Sequence, residues 1–145
     1  IIAQRSRDDS RTPMQWNSSE NAGFTTGTPW IGLADNYKAI NAAAEVDDPD
    51  SVRSFYKMLV YLRKTHKVIS EGKIKFLYPD NADLLAYRRY GAEDGEELLV
   101  LCNLTEHDAP YTLPEGWADA DKLLGNYPDR NDALRPYECL ILTKA

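Results

Sequence analysis

No stretch of this sequence stays apolar for the roughly 20 residues that a helix needs to cross a bilayer. Basic residues are also in deficit: 17 Lys and Arg stand against 23 Asp and Glu, a formal net charge of -6. The longest basic pieces are pairs such as Arg63-Lys64 and Arg88-Arg89. An acidic chain repels phosphate backbones and anionic lipid, which argues against nucleic acid and membrane surfaces as partners. Histidine is nearly absent. His66 and His107 are far apart, and neither has a Cys or His at ligand spacing, so no zinc site is expected. There is no aspartate-rich calcium loop, no phosphate-cradling glycine motif and no Ser-x-Gly elbow, so no metal, no cofactor and no hydrolase triad are expected. The two cysteines, Cys102 and Cys139, sit in the apolar runs LLVLCNL and YECLIL, where they are expected to be buried, reduced and inert. That usage fits a reducing compartment and a cytoplasmic location. The first residues, Ile1-Ile2-Ala3-Gln4-Arg5, carry neither an initiator Met nor a leader pattern and read as a cut within a longer chain.

What is present is an ordinary globular composition over 145 residues, 43% apolar and 28% charged, enough for one domain or for a small domain with a remnant of another. The chain changes character part-way. Residues 1 to about 48 have no sustained period and are rich in Asn, Asp, Gly, Ser, Thr and Pro, with Trp16, Phe24, Trp30 and Tyr37 interspersed. Loops of this length are uncommon in compact domains, and the aromatics indicate an ordered loop packed on a surface. Asp48-Pro49-Asp50-Ser51 then supplies a cap, a first-turn proline and acidic charge at a helix start. Val52, Phe55, Tyr56, Leu59 and Leu62 follow helical spacing, with Arg63, Lys64 and Lys67 at the cationic end. That apolar face needs a surface, either the following sheet or one from another part of the protein.

From about Ser70 the pattern is short strands separated by turn residues: GKIKFLY, LLAYRRY, ELLVLCNL, a weak PYTL, DKLLGNY and YECLILT. Their spacing predicts an antiparallel sandwich or barrel. The expected fold is therefore mainly β with an N-terminal α segment. Trp117, Tyr87, Tyr90, Tyr111 and Tyr127 are scattered through the β region and read as core or packing residues, not as a binding stripe.

Catalysis by a paired acid and base commonly uses two carboxylates that face each other across the reacting bond. The adjacent pairs Asp8-Asp9, Asp47-Asp48 and Glu96-Glu97 are poor candidates, since neighbours on an extended chain point in opposite directions. No catalytic pair is identified.

The informative stretch is Arg7-Asp8-Asp9-Ser10-Arg11-Thr12-Pro13-Met14-Gln15-Trp16, followed by Ala22-Gly23-Phe24-Thr25 and Pro29-Trp30. It resembles the R-D-N-x-R-T-P-M-Q-W, A-G-F-T and P-W sequences of oligo-1,6-glucosidases, dextran glucosidases and trehalose-6-phosphate hydrolases, which belong to glycoside hydrolase family thirteen. The resemblance continues through Asp35-Asn36-Tyr37-Lys38, Ile40-Asn41 and Tyr61-Leu62-Arg63-Lys64 to Leu134-Arg135-Pro136-Tyr137-Glu138. Asp9 departs from the Asn more common in that family.

The resemblance implies a (β/α)₈ catalytic barrel followed by a small antiparallel β-sandwich. Residues 1–69 would be the loop after the eighth strand and the last helix of the truncated barrel, and residues 70–145 the terminal β-domain. The family's catalytic carboxylates would lie upstream of Ile1, leaving no catalytic residue in this chain. Arg7 matches a family arginine that helps to hold the terminal glucose, as a planar guanidinium can while also binding a carboxylate; the alternative is a structural salt bridge. Arg11 has the same two readings. Thr12-Pro13-Met14-Gln15 reads as a scaffold turn, and Trp16 and Trp30 as loop anchors or sugar platforms.

The implied parent is a retaining exo-acting α-glucosidase cleaving α-1,6-linked isomalto-oligosaccharides, with a small oligosaccharide as its partner. A trehalose-6-phosphate hydrolase is the alternative within the family, and a non-catalytic glycan- or protein-binding β-module the alternative outside it. The chain alone is expected to be inert, and to self-associate if its helix face is left bare.

Overall fold

The computed structural model describes residues 10–144. It divides into two compact units, residues 1–59 and 60–145. The division falls inside the long helix, ten residues before the expected change from helix to strands.

In the first unit, irregular chain leads to the one-turn helix α1 (Ala42–Glu45) and then into α2 (Val52–Thr65). The start of α2 follows the expected capping logic. Ser51 is buried, and its hydroxyl accepts from the Ser54 amide at 3.1 Å while donating to the Asp48 carbonyl at 2.8 Å. Glu45 contributes what sequence alone did not indicate: its carboxylate accepts from the Arg53 amide at 3.1 Å. Two of the unsatisfied first-turn N–H groups are thereby paired. Of the expected apolar face of α2, Leu62 is buried, but Val52 (79% exposed) and Tyr56 (67%) are not.

The second unit is an antiparallel sheet in the order β1-β2-β3-β7-β5, with a separate ribbon β4-β6. The strands are β1 (Lys73–Leu77), β2 (Leu84–Tyr90), β3 (Glu97–Asn103), β4 (Ala109–Pro110), β5 (Asp121–Gly125), β6 (Ala133–Leu134) and β7 (Cys139–Lys144). β3 is central, so its Leu98–Leu101 run is buried on both faces. One face holds Leu84, Ala86, Leu99, Leu101, Leu140 and Leu142 under Ala109, Leu134 and Trp117. The other holds Leu98, Val100 and Ile141 against Val68 of the short helix α3 (Lys67–Ser70). Each such leucine contributes about 1.5–3 kcal/mol by leaving water. The fold is thus mainly antiparallel β, as expected. The two-residue strand β6 escaped prediction because it is too short to display alternation.

Gly72 explains how α3 meets β1. A Cβ there would lie 2.4 Å from the Val68 carbonyl oxygen, so only glycine fits the corner. From β2, Arg89 caps the same helix, its guanidinium donating to the carbonyls of Val68 at 3.2 Å and Ile69 at 2.6 Å.

Candidate functional site

The family-like residues of the first unit are held by two amide side chains. The carbonyls of Gln15 and Trp16 accept from the amides of Ala42 at 2.8 Å and Ala43 at 2.9 Å, pairing the first donors of α1. Asn41, buried at 7% exposure, is the cap: its oxygen accepts from the Ala44 amide at 3.0 Å and its nitrogen donates to the Tyr37 carbonyl at 3.0 Å. The Gln15 amide nitrogen donates to the Ile40 carbonyl and to the Asn36 side-chain oxygen. The Pro13-Met14-Gln15-Trp16 stretch is therefore stitched along the start of α1, which is the geometry of a scaffold.

Beside it lies a strained turn. Asn21, Ala22 and Gly23 all have left-handed backbone, with φ of 51°, 55° and 67°. For the two non-glycine residues this costs about 1–2 kcal/mol each, and it persists only where surroundings over-determine it. Here they do. The Ala22 carbonyl accepts from the amides of Trp16 at 2.9 Å and Asn17 at 3.2 Å, and Ala22 is fully buried. The Asn21 side chain donates to the carbonyls of Thr25 at 3.2 Å and Gly27 at 2.9 Å. The sequence marked Ala22-Gly23-Phe24-Thr25 without revealing its role; Asn21 and Gly23 are residue types that visit this conformation, but Ala22 between them gives no local sign of it.

Two shallow depressions share Thr12. One, of about 490 Å³, is bounded by Thr12, Met14, Trp16, Ile40 and Arg53. The other, also of about 490 Å³, is bounded by Thr12 and the Trp30–Asp35 stretch. Trp30 is 98% exposed and Trp16 52%, so neither ring anchors its loop within this unit. Arg11 is exposed at a bend beside Thr12 and joins no ion pair among the described residues. Arg7, with Asp8 and Asp9, lies outside the described residues.

The other acidic pairs are engaged structurally. Asp48 accepts from the Asp50 amide at 2.9 Å, next to the cap of α2. Glu96 meets His66 at 2.7 Å. Glu97 lies between Arg88 and Lys144. Burial pushes the Glu97 carboxyl up, but these two cations outweigh it and hold the group below the usual carboxylate range. Among the described residues, no group of three or more His, Cys, Asp or Glu is arranged to hold a metal ion, and no helix is long and apolar enough to cross a membrane.

Most aromatics of the second unit pack as expected. Trp117 is 1% exposed beneath the Lys144 ammonium, and the Tyr111 hydroxyl donates to the Asn131 carbonyl at 2.7 Å. The cysteines differ from expectation. They are half-buried and face each other, with Sγ atoms 3.3 Å apart.

Comparison with known proteins places this geometry in context. Residues 1–72 match the family model described as alpha amylase, catalytic domain. A trehalose-6-phosphate hydrolase of Bacillus subtilis is 43% identical over 99% of the chain, covering 27% of that protein. An oligo-1,6-glucosidase of Heyndrickxia coagulans is 41% identical over 97% of the chain, covering 25% of its own length. Among solved structures, the trehalulose synthase MutB of Pseudomonas mesoacidophila superposes with a TM-score of 0.84 at 40% identity, over 95% of this chain and 26% of that one. The chain spans about a quarter of the length of the curated relatives it matches. With its family-like residues built into one scaffold and its strands forming the antiparallel domain that accompanies them, this chain belongs to the alpha-amylase family of glycoside hydrolases, among the homologues of oligo-1,6-glucosidases and trehalose-6-phosphate hydrolases.

Proposed function

We propose that this chain is the C-terminal part of a retaining exo-acting α-glucosidase that hydrolyses α-1,6-linked isomalto-oligosaccharides in the cytoplasm. Residues 1–69 complete the catalytic domain and shape the rim of its pocket, and residues 70–145 form the terminal β-domain. The observation that carries this reading is the poverty of core in the first unit. Among the described residues up to Leu59, only Pro13 and Ala22 are buried apolar residues, whereas Met14, Trp16, Phe24, Trp30, Val52 and Tyr56 are each about half exposed or more. Such a segment is shaped for a surface that the rest of a barrel would supply. The family-model match, which ends at residue 72, supports the same division.

In this reading the carboxylates that form and resolve the glycosyl-enzyme intermediate come from the remainder of the protein. Arg7 holds the terminal glucose by its hydroxyls while paired to a carboxylate of the barrel, and Arg11 is the weaker candidate for the same contact. The loops after barrel strands are where such sites gather. The isolated chain is inert, because it contributes rim and cover without the nucleophile and acid.

A second reading, a trehalose-6-phosphate hydrolase, rests on the 43% identity to the Bacillus subtilis enzyme of that name, a level that a probable oligo-1,6-glucosidase of the same organism equals. Kinetics of the whole protein on isomaltose and trehalose 6-phosphate separate the two. A kcat/KM at least about tenfold higher for isomaltose supports the first reading, and the reverse ratio sinks it. Arg7→Lys in the whole protein is expected to raise KM for the preferred sugar. Turnover of a chromogenic α-glucoside by the pure 145-residue chain would refute its inertness.

A further inference from the structure

We propose that Cys102 and Cys139 form a dithiol site which a small-molecule disulfide oxidises to an internal Cys102–Cys139 disulfide. The site is independent of the sugar chemistry and lies on the sheet of the second unit.

The geometry comes from register. Cys102 on β3 stands directly opposite Cys139 on β7. In the adjacent pair, the Asn103 amide donates to the Glu138 carbonyl at 2.8 Å, which puts Asn103 and Glu138 at a hydrogen-bonded position of the ladder, with one of its two bonds made, and Cys102 and Cys139 at a non-hydrogen-bonded one. The backbone of Cys139 agrees, because its polar groups turn the other way. Its amide donates to the Asn126 side-chain oxygen at 2.8 Å, and its carbonyl accepts from the Asn126 amide at 3.3 Å. Opposed residues of the non-hydrogen-bonded kind have Cα atoms about 4.5 Å apart, inside the span of about 4.4–6.8 Å that disulfides accept. The sulfurs are already 3.3 Å apart, so closure needs movement of two side chains, with the ladder unchanged.

The surroundings favour reaction. Both residues sit at the margin of the cluster of Leu98, Val100 and Ile141, and both remain partly open to solvent. The hydrogen bond between the thiols holds Cys102 below the usual thiol range against the effect of burial, and that same bond, with burial, pushes Cys139 above it. One proton therefore leaves the pair more readily than two. The thiolate is the attacking form.

The chemistry balances without a metal. The Cys102 thiolate attacks one sulfur of oxidised glutathione, forming a mixed disulfide and expelling a glutathione thiolate. Cys139 then gives up its proton and attacks the Cys102 sulfur, forming the internal bond and expelling the second thiolate. Two protein thiols are oxidised, and one small disulfide is reduced to two thiols.

The test treats the reduced, folded chain with oxidised glutathione in the absence of oxygen, traps remaining thiols with N-ethylmaleimide, and reads intact mass and a peptide map. The expected product is a monomer lighter by two hydrogen atoms, carrying no maleimide and yielding one cross-linked peptide that contains Cys102 and Cys139. Cys139→Ser should instead hold a lasting glutathione adduct on Cys102. In wild type, closure should run at least about tenfold faster in the folded protein than in urea, because the fold holds the second thiol at high effective concentration. Full alkylation of both cysteines, a stable glutathione adduct on the wild type, a disulfide between two chains, or equal rates in folded and unfolded protein would each overturn the proposal. The wild-type readouts stand even if the serine variant does not fold.

Discussion

Glu138 closes on Arg135 through three hydrogen bonds: the carboxylate accepts from the Arg135 amide at 2.8 Å and from its guanidinium at 2.9 and 3.0 Å. The carboxylate is 2% exposed, whereas the arginine reaches outward to Asp129 at 2.8 Å and lies 4.0 Å over the Tyr127 ring. A family-typical Leu-Arg-Pro-Tyr-Glu sequence thus carries an ion pair with a buried carboxylate, extended outward to Asp129 and Tyr127, that fixes the entry to β7.

That relationship has a pH signature. Burial pushes the Glu138 carboxyl up, but the bonds from Arg135 outweigh it and hold the group below the usual range. In the unfolded chain the carboxyl titrates near its ordinary value, about 4.3. The stabilisation is therefore complete above that pH and is lost as pH falls through it toward the folded value. Glu138→Gln is expected to cost about 2 kcal/mol at neutral pH. It should also flatten the fall of stability between about pH 5 and 3. Urea unfolding at several pH values checks both; an unchanged acid limb would refute the assignment.

The same turn carries strain that can be relieved. Tyr137 follows Pro136 with φ of 55°, and the Glu138 amide donates to the Arg135 carbonyl at 3.0 Å, closing a four-residue turn. Tyr137 is 62% exposed, so little packing is at stake. Tyr137→Gly is expected to leave stability within about 0.5 kcal/mol of wild type, while Tyr137→Val costs about 1–2 kcal/mol, since a β-branched residue fits left-handed backbone badly. Thermal melts of the two variants should separate; identical melts would mean that the backbone is not strained there.

Gly23 is expected to be irreplaceable for a different reason. A Cβ at Gly23 would lie 2.5 Å from the Asn17 side-chain nitrogen, on backbone with φ of 67°. Gly23→Ala should cost about 1–3 kcal/mol of local stability. Ala22→Gly should cost little by comparison, because the neighbouring backbone keeps its conformation. Hydrogen exchange at the Trp16 and Asn17 amides, which bond to Ala22, is the readout. Unaltered protection in Gly23→Ala would remove the argument.

Asn41→Ala removes the cap of α1 and its tie to Tyr37, with an expected loss of about 1 kcal/mol. Asn41→Asp should retain the capping part and lose the tie. Exchange of the Ala44 amide distinguishes these effects: it should accelerate in the alanine variant and stay protected in the aspartate variant.

Strands were legible wherever local pattern and burial agree. β3 and β7 announced themselves as apolar runs because they are covered on both faces, and the start of α2 was readable because capping is a contact among near neighbours. Arg11 and Trp30 could be singled out only by resemblance, since nothing local sets that arginine or that tryptophan apart from one on any exposed loop. The left-handed run from Asn21 to Gly23 was invisible as geometry, because Asn and Gly allow the conformation without requiring it and Ala22 between them disfavours it.

The sequence by itself determined the mainly antiparallel architecture, the acidic surface and the family, because alternation, turn chemistry and residue order are properties of near neighbours along the chain. Only the tertiary structure decided that Gln15 and Asn41 clamp the start of α1, that Glu138 is spent on Arg135, and that Cys102 meets Cys139 across 37 residues of chain. The last depends on strand register, and a slip of one residue would send those two sulfurs to opposite faces of the sheet.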